Sequence, residues 1–455
     1  MRGLSWTVGI WAVALIVLAP AGWRSVLRAR SFGITRAQWG LLFVLIGSHS
    51  HAAPTTAEEV LADPVVAERL IRGAFDALAL LLIVPVLINA IRRSRPLKTP
   101  GLTTLTAYGV IAGVSALYTI AFTVTVGKVF ELAAVLAALW LIALGPDPAD
   151  EFRSTARLFV LLEAALVGVA VIGFFLLPGS FLSTDGRPGF ITSRTMGSPY
   201  AHFDGLSASS ALIFAYALAS ALNATNRRAR LGWAALALMG TLGMLLTSGR
   251  QGLIIWLVSA AVLLWFYRRK LLLLLITPAT ALVVWANWES LWSIVTRDQA
   301  AVNISTWSGR LTWWGVGLDA ASTHPLTGFG YGAGGRWAAL QQIGQDSASS
   351  IHNGYLEALL GVGLIGLICL MIPVVRVALW SFFKLAARSE PTLAILIVPL
   401  LLHTFVSLGF GGWVNSDLVL IGCLVGISDV DPWRRPMRGS PRRLSRVQQA
   451  EEFLS

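Results

Sequence analysis

Long apolar runs, broken by short polar stretches, recur along almost the whole chain; ALALLLIVPVLINAI (Ala77 to Ile91) and AALALMGTLGMLLTS (Ala234 to Ser248) are representative. A helix needs about 20 apolar residues to cross the hydrocarbon core of a bilayer. Backbone exposed to lipid must satisfy its own hydrogen bonds, so such runs predict helices. Hydropathy places about 13 spans, near residues 4–22, 34–48, 73–91, 101–123, 127–145, 156–178, 206–223, 231–247, 252–267, 271–288, 355–375, 393–409 and 414–428. The second and the last are short. The expected fold is an all-α polytopic membrane protein of about 12–13 transmembrane helices. A single helical domain covers residues 1–430, a large outer loop (289–354) carries short helices, and a basic tail follows at 431–455. The first run has basic residues on both sides and reads as a retained anchor rather than a cleaved signal.

Composition agrees: 56% of residues are hydrophobic, 13% are charged, and mean hydropathy is +0.71, which excludes an ordinary water-soluble domain. A net charge of +12 could point to nucleic acid, but its distribution argues otherwise. Most Lys and Arg crowd every second loop: Arg24 to Arg36, Arg92 to Lys98, Arg153 and Arg157, Arg227 to Arg230, Arg268 to Lys270, Arg376 to Arg388, and Arg434 to Arg446. Positive loops stay cytoplasmic, which sets the N-terminus outside and the C-terminus inside. Most of the charge therefore encodes topology, and no nucleic-acid partner is expected. Cys369 and Cys423 fall inside spans and read as small apolar side chains rather than a disulfide or metal pair.

The cations left on the outer side work against that bias. Six of them are arginines around the longer outer loops: Arg187, Arg194, Arg250, Arg297, Arg310 and Arg336. Singly, each could be a solvated or headgroup-contacting side chain. As a set they suggest an anion handled outside the membrane, because guanidinium offers a planar, permanently charged, bidentate fork for phosphate.

Three outer motifs carry candidate chemistry. In LLTSGRQGLIIWL (Leu245 to Leu257), Arg250 sits in a short break between two apolar runs, where a tight helical hairpin would aim the N–H groups of its second helix at an anion. In STWSGRLTWWGVGLDAASTHPLTGFGYGAGG (Ser305 to Gly335), Ser308 or Thr306 could cap a short helix through Ala321, with Arg310, Trp313, Trp314 and Gly317 on one side. The five glycines from Gly328 to Gly335 would let a loop backbone approach a ligand closely. They lack the spacing and the Lys-Ser/Thr ending of a nucleotide P-loop. In SSIHNGYLEALLGVGLIGLICL, from Ser349, either Ser350 or Asn353 caps the next span, which puts His352 in its first turn. The positive helix end would keep the imidazole neutral and able to accept a proton, with Glu357 just inside to orient or counterbalance the ring.

In this order, SGRQGL, GRLTWWGVGLDAASTHPLTGFGYG and HNGYLEALLGVGLIGL resemble the membrane-embedded region of bacterial O-antigen ligases and Wzy-type O-antigen polymerases, over roughly Leu245 to Leu370. RTMGSPYAHFDGLSA (Arg194 to Ala208) looks like that family's Arg-Gly-x-(Pro/Asn) stretch without its usual Asn. The resemblance implies a glycosyltransferase of the bacterial inner membrane. It would take a glycan from a polyprenyl (undecaprenyl) diphosphate carrier and pass it, on the extracytoplasmic side, to a lipid or glycan hydroxyl acceptor. No cofactor, metal or nucleotide-sugar is implied. Carried over by position, Arg250 and Arg310 would hold the diphosphate and His352 would be the general base. Arg194, Arg336, Asn353 and Glu357 are supporting candidates. Many members are described with twelve spans and both ends inside, so the first run reads as an extra anchor, or one short run does not span.

Two other readings compete. A nucleotide-sugar transferase would use a cytoplasmic acidic pair, for which Asp429 with Asp431 and Asp147 with Asp150 are available. A secondary transporter would use charges inside spans, and Asp76, Glu131, Glu163, His403 and Thr404 are the residues in question. Within the transferase reading, polymerase shares the ligase's donor chemistry; a single large outer loop leans towards ligase.

Overall fold

The computed structural model describes residues 35–49, 67–93, 99–177, 181–182, 195–197, 203–267, 309–344 and 350–431. Most of the described residues are helical; outside the helices and the loops that join them there is one isolated bridge, between Leu182 and Met196. The helices are α1 (Arg36–His49), α2 (Ala67–Arg93), α3 (Pro100–Ser115), α4 (Phe122–Ala143), α5 (Pro148–Leu176), α6 (Phe203–Asn223), α7 (Arg227–Thr247) and α8 (Arg250–Phe266). They continue with α9 (Arg310–Thr323), α10 (Gly354–Ala387), α11 (Ile397–Val406) and α12 (Ser416–Val430). One π-turn (Gly334–Ala339) and one 3-10 turn (Leu340–Ile343) lie between α9 and α10.

This is an all-α, multi-pass membrane protein. Among the described residues six helices are long and apolar enough to cross a bilayer: Gly73–Arg92, Phe122–Ala143, Pro148–Leu176, Phe203–Asn223, Arg227–Thr247 and Gly354–Ala387. The expected runs 4–22 and 271–288 lie outside the described residues. The run expected at 101–123 is shorter, because α3 ends at Ser115 and the chain turns before α4 begins. The run expected at 393–409 is broken as well: α11 stops at Val406, and one turn over Gly409–Gly412 precedes α12.

The core is formed by small and branched residues. α12 is the most enclosed helix, buried from Ser416 through Asp429. Gly422 and Gly426 let Leu139 of α4 and Phe152 of α5 pack directly against its backbone; a Cβ would come within 2.5 and 2.3 Å of them. Such small residues are how helices approach closely where lipid supplies no hydrophobic drive.

The two ends of the bundle differ. At one end Asp429 accepts hydrogen bonds from the Gly101 and Leu102 amides (3.1 and 3.0 Å), capping α3, and pairs with Arg376 (3.2 Å). Asp431 there pairs with Arg153 (3.3 Å) and Lys384 (2.8 Å). Arginine, lysine and helix-capping amides thus neutralise this acidic pair. The other end carries the α9 region and the three motifs.

α10 is interrupted within its apolar run. Gly363 has φ 68 and ψ −174, a conformation that only glycine adopts at low cost. The segment after Pro325 docks into the gap: Phe329, Gly330 and Leu364 amides donate to the Leu360, Gly361 and Pro325 carbonyls at 2.8, 2.9 and 2.8 Å. The backbone groups released by the break are thereby satisfied inside protein, as a membrane environment demands.

Candidate functional site

α8 and α9 begin alike. Gly249 and Gly309 are their N-caps, without a side-chain cap, Arg250 and Arg310 are their first residues, and neither first turn holds an acidic residue. Gly309 takes φ 84, so neither Ser308 nor Thr306, both outside the described residues, is the N-cap, and α9 runs on to Thr323. An arginine at a helix N-terminus faces an unfavourable dipole. Helix N-terminal N–H groups and a guanidinium at one place are the makings of an anion site.

Asp204, in the first turn of α6, joins these two starts. Its carboxylate lies 3.5 Å from the half-buried Arg310 guanidinium, and its carbonyl accepts from Gln251, the neighbour of Arg250, at 2.6 Å. Burial lowers the Arg310 pKa from its ordinary value, against which Asp204 works; a guanidinium is so basic that the group stays charged. The fit of α8 against α6 is close: the Ser207 hydroxyl donates to the Gly249 carbonyl (3.2 Å), and Cβ atoms on Gly249 and Gly252 would fall 2.3 and 1.8 Å from that hydroxyl oxygen. Beside them the Met196 amide donates to the Leu246 carbonyl at the end of α7 (2.9 Å). Arg194, and with it Arg187 and Arg297, lies outside the described residues.

One turn along α9 come the tryptophans. The Trp314 indole N–H donates to the Ile351 carbonyl (3.0 Å), and Trp313 stacks on His352. His352 is not in the first turn of α10, as expected from the sequence. Asn353 is the N-cap, its side chain accepting from the Leu356 amide (3.0 Å), and His352 precedes it with φ 52. Histidine tolerates that left-handed backbone better than most side chains, and strained positions of this kind cluster at functional sites. The Ser350 hydroxyl accepts from the His352 amide (3.3 Å) within the same turn.

Glu357 is fully buried and accepts from the Ile351 amide (2.9 Å) and from that of Gly335. Its hydrogen bonds therefore fix the main chain on either side of the site. The glycine loop is likewise corrected: Gly328 and Gly334 come close to the α10 backbone at Leu360 and Gly361, so their close approach is to protein. Arg336 is buried in the π-turn beside Gly335, its guanidinium carbon 5.3 Å from the Trp337 ring centroid.

The structure thus gathers Arg250, Arg310 and His352 at one end of the bundle through Asp204 and Trp313, and sets Asn353 and Glu357 behind them as a helix cap and a backbone clamp. Asp204 escaped sequence reasoning, since the only signal was an acidic residue opening an apolar run. Four of the five in-span residues that raised a transport path meet protein groups: Glu131 pairs with Lys128 (3.5 Å), Ser416 donates to Glu163, His403 meets Asp417 (2.5 Å), and the Thr404 hydroxyl donates to Leu400 (2.8 Å); the fifth, Asp76, is buried in α2. Among the described residues, no group of three or more His, Cys, Asp or Glu is arranged to hold a metal ion.

Residues 234–371 match the family model described as O-antigen ligase. The matched segment starts in α7, ends in α10, and includes Arg250, Arg310, Arg336, His352, Asn353 and Glu357. No curated protein matches the chain.

Proposed function

We propose that this multi-pass membrane protein, whose segment 234–371 belongs to the O-antigen ligase family, transfers a glycan from a polyprenyl diphosphate carrier to a hydroxyl acceptor. The reaction takes place at the extracytoplasmic face of a bacterial inner membrane. The observation that carries this reading is the pair of Gly-Arg helix starts, at Arg250 and Arg310, tied to one residue, Asp204, one helical turn from the Trp313–His352 stack. Arg250 and Arg310 bind the diphosphate together with the first-turn amides of α8 and α9. Neutralising its charge makes it a good leaving group.

His352 takes the proton. The acceptor oxygen attacks the anomeric carbon, the bond from that carbon to the diphosphate oxygen breaks, and polyprenyl diphosphate leaves with the electron pair. The acceptor's proton passes to the imidazole. Holding both substrates at the membrane surface supplies proximity, and an imidazole positioned beside the acceptor is a usual general base for a hydroxyl. A ligase passes one glycan to a different acceptor; a polymerase with the same donor chemistry would extend its own product.

The test is a proteoliposome assay with a polyprenyl-diphosphate oligosaccharide, wild type beside His352→Asn, a side chain that keeps the left-handed backbone. Loss of carrier release by a factor of about 100 or more in a folded variant is expected for a general base. A single transfer onto an added acceptor indicates ligase, and a product ladder polymerase. Equal turnover by wild type and variant would remove His352 from the chemistry.

A further inference from the structure

The two Gly-Arg helix starts already hold an anion that belongs to the protein. Asp204 Oδ2 lies 3.5 Å from the Arg310 guanidinium, and Oδ1 lies 3.7 Å from where a Cβ on Gly249, the N-cap of α8, would stand. One carboxylate is therefore set beside the opening residues of both α8 and α9, helices that no side chain caps and whose first turns hold no acidic residue. This is the place that the transferase reading gives to the diphosphate.

The carboxylate is held there loosely. A charge-assisted bond between guanidinium and carboxylate is usually about 2.7–2.9 Å long and often bidentate. Here a single nitrogen, Nη2, approaches a single oxygen at 3.5 Å. The Arg310 and Asp204 side chains are 18% and 23% exposed, so the pair can be reached by a ligand. The main chain of Asp204 is instead fixed by contacts that do not use the carboxylate. Its carbonyl accepts from the buried Gln251 (2.6 Å), and Ser207, further along the same helix, packs against Gly249 and Gly252. Asp204 also sits in the first turn of α6, where the dipole favours a carboxylate whether or not it touches Arg310. The side chain can thus leave the guanidinium without undoing the fold around it.

We propose that Asp204 is a tethered competitor of the carrier: its carboxylate holds Arg310 before the donor binds, gives way to a phosphate, and returns to Arg310 as polyprenyl diphosphate departs. A diphosphate offers more charge and can span Arg250 and Arg310 together, so it displaces the carboxylate on binding. The same carboxylate then limits how firmly the released carrier is retained. Donor and product share the diphosphate, and binding both too tightly through it would slow product release without lowering the chemical barrier. This inference rests on the transferase reading.

Binding of bare polyprenyl diphosphate in proteoliposomes, and its inhibition of donor turnover, would be measured for wild type, Asp204→Asn and Asp204→Glu. Asp204→Asn keeps the size and removes the charge. It is expected to lower both the Kd and the inhibition constant of the carrier about fivefold, at the lower end of usual coupling between ligands of one protein, with KM for the donor falling as well. Asp204→Glu keeps a competing charge and should return all three towards wild type. A residue that merely orients Arg310 predicts the opposite sign: weaker carrier binding in Asp204→Asn, or no change, would overturn the proposal. So would a glutamate variant that binds as tightly as the asparagine one. Should Asp204→Asn not fold, Asp204→Ala leaves the main-chain carbonyl to Gln251 and should show the same fall in Kd, with the same results counting against it. Wild type that binds the carrier but consumes no donor would sink the transferase reading, while the Kd values would still decide the role of Asp204.

Discussion

The imidazole of His352 lies against the indole of Trp313, with ring centroids 5.7 Å apart and planes 22° from parallel. Trp313 is one turn from Arg310, so the short helix that carries one proposed phosphate ligand also carries the ring against which the proposed base packs. Stacking of this kind contributes about 1 kcal/mol beyond burial, so Trp313→Leu should lower kcat roughly five-fold while the protein stays folded. Trp313→Phe keeps a ring face and should retain most of the activity. Steady-state turnover of the two variants makes the comparison; equal losses would mean that bulk, not stacking, is what His352 needs.

Glu357 holds the backbone on which His352 stands. Glu357→Gln exchanges one acceptor for a donor facing the Ile351 or Gly335 amide, and losing a buried acceptor costs about 1–3 kcal/mol. Glu357→Ala abandons both amides and should lower the thermal midpoint further. Unfolding in detergent, followed by intrinsic fluorescence, would rank the two; a Glu357→Ala protein as stable as wild type would show that the clamp contributes nothing.

Much of this was legible in local pattern, and the failures have local causes. SGRQG read correctly as a tight turn because a serine and two glycines around an arginine interrupt apolar runs, and α7 does end in a left-handed Ser248. His352 fell outside its expected turn because Ser350 and Asn353 are equally good caps by residue type, and only the backbone path decides between them. The break at Gly363 lies inside GVGLIGL, which has no polar residue to mark it. Close approach was rightly inferred for the glycine loop, but glycine does not say what approaches. The Asp204–Arg310 pair spans 106 positions, beyond any pattern in a single sequence.

Arg310 provides a test of phosphate geometry. Lysine keeps the charge but not the planar fork, and its compact ammonium is not equivalent at a bidentate site. Arg310→Lys should lose most activity, with KM for the donor rising, and should still pair with Asp204 well enough to fold. Near-normal turnover would argue for a simple point charge at this position.

Gly249 and Gly252 flank Arg250 and meet Ser207 in different ways, which allows steric effects to be separated. A Cβ on Gly249 would collide with the Ser207 side chain alone, at 2.3 Å from Oγ and 2.5 Å from Cβ. A Cβ on Gly252 would meet Oγ at 1.8 Å and also the Ser207 carbonyl oxygen at 2.7 Å. Overpacking of this sort costs about 1–3 kcal/mol, so either single alanine variant should lower the thermal midpoint and, by moving Arg250, donor turnover. Ser207→Gly removes the side chain but not the carbonyl. It should therefore rescue Gly249→Ala, judged against Ser207→Gly alone, and fail to rescue Gly252→Ala. Rescue of both would mean that α8 can slide past α6, and that the diphosphate site tolerates a displaced Arg250.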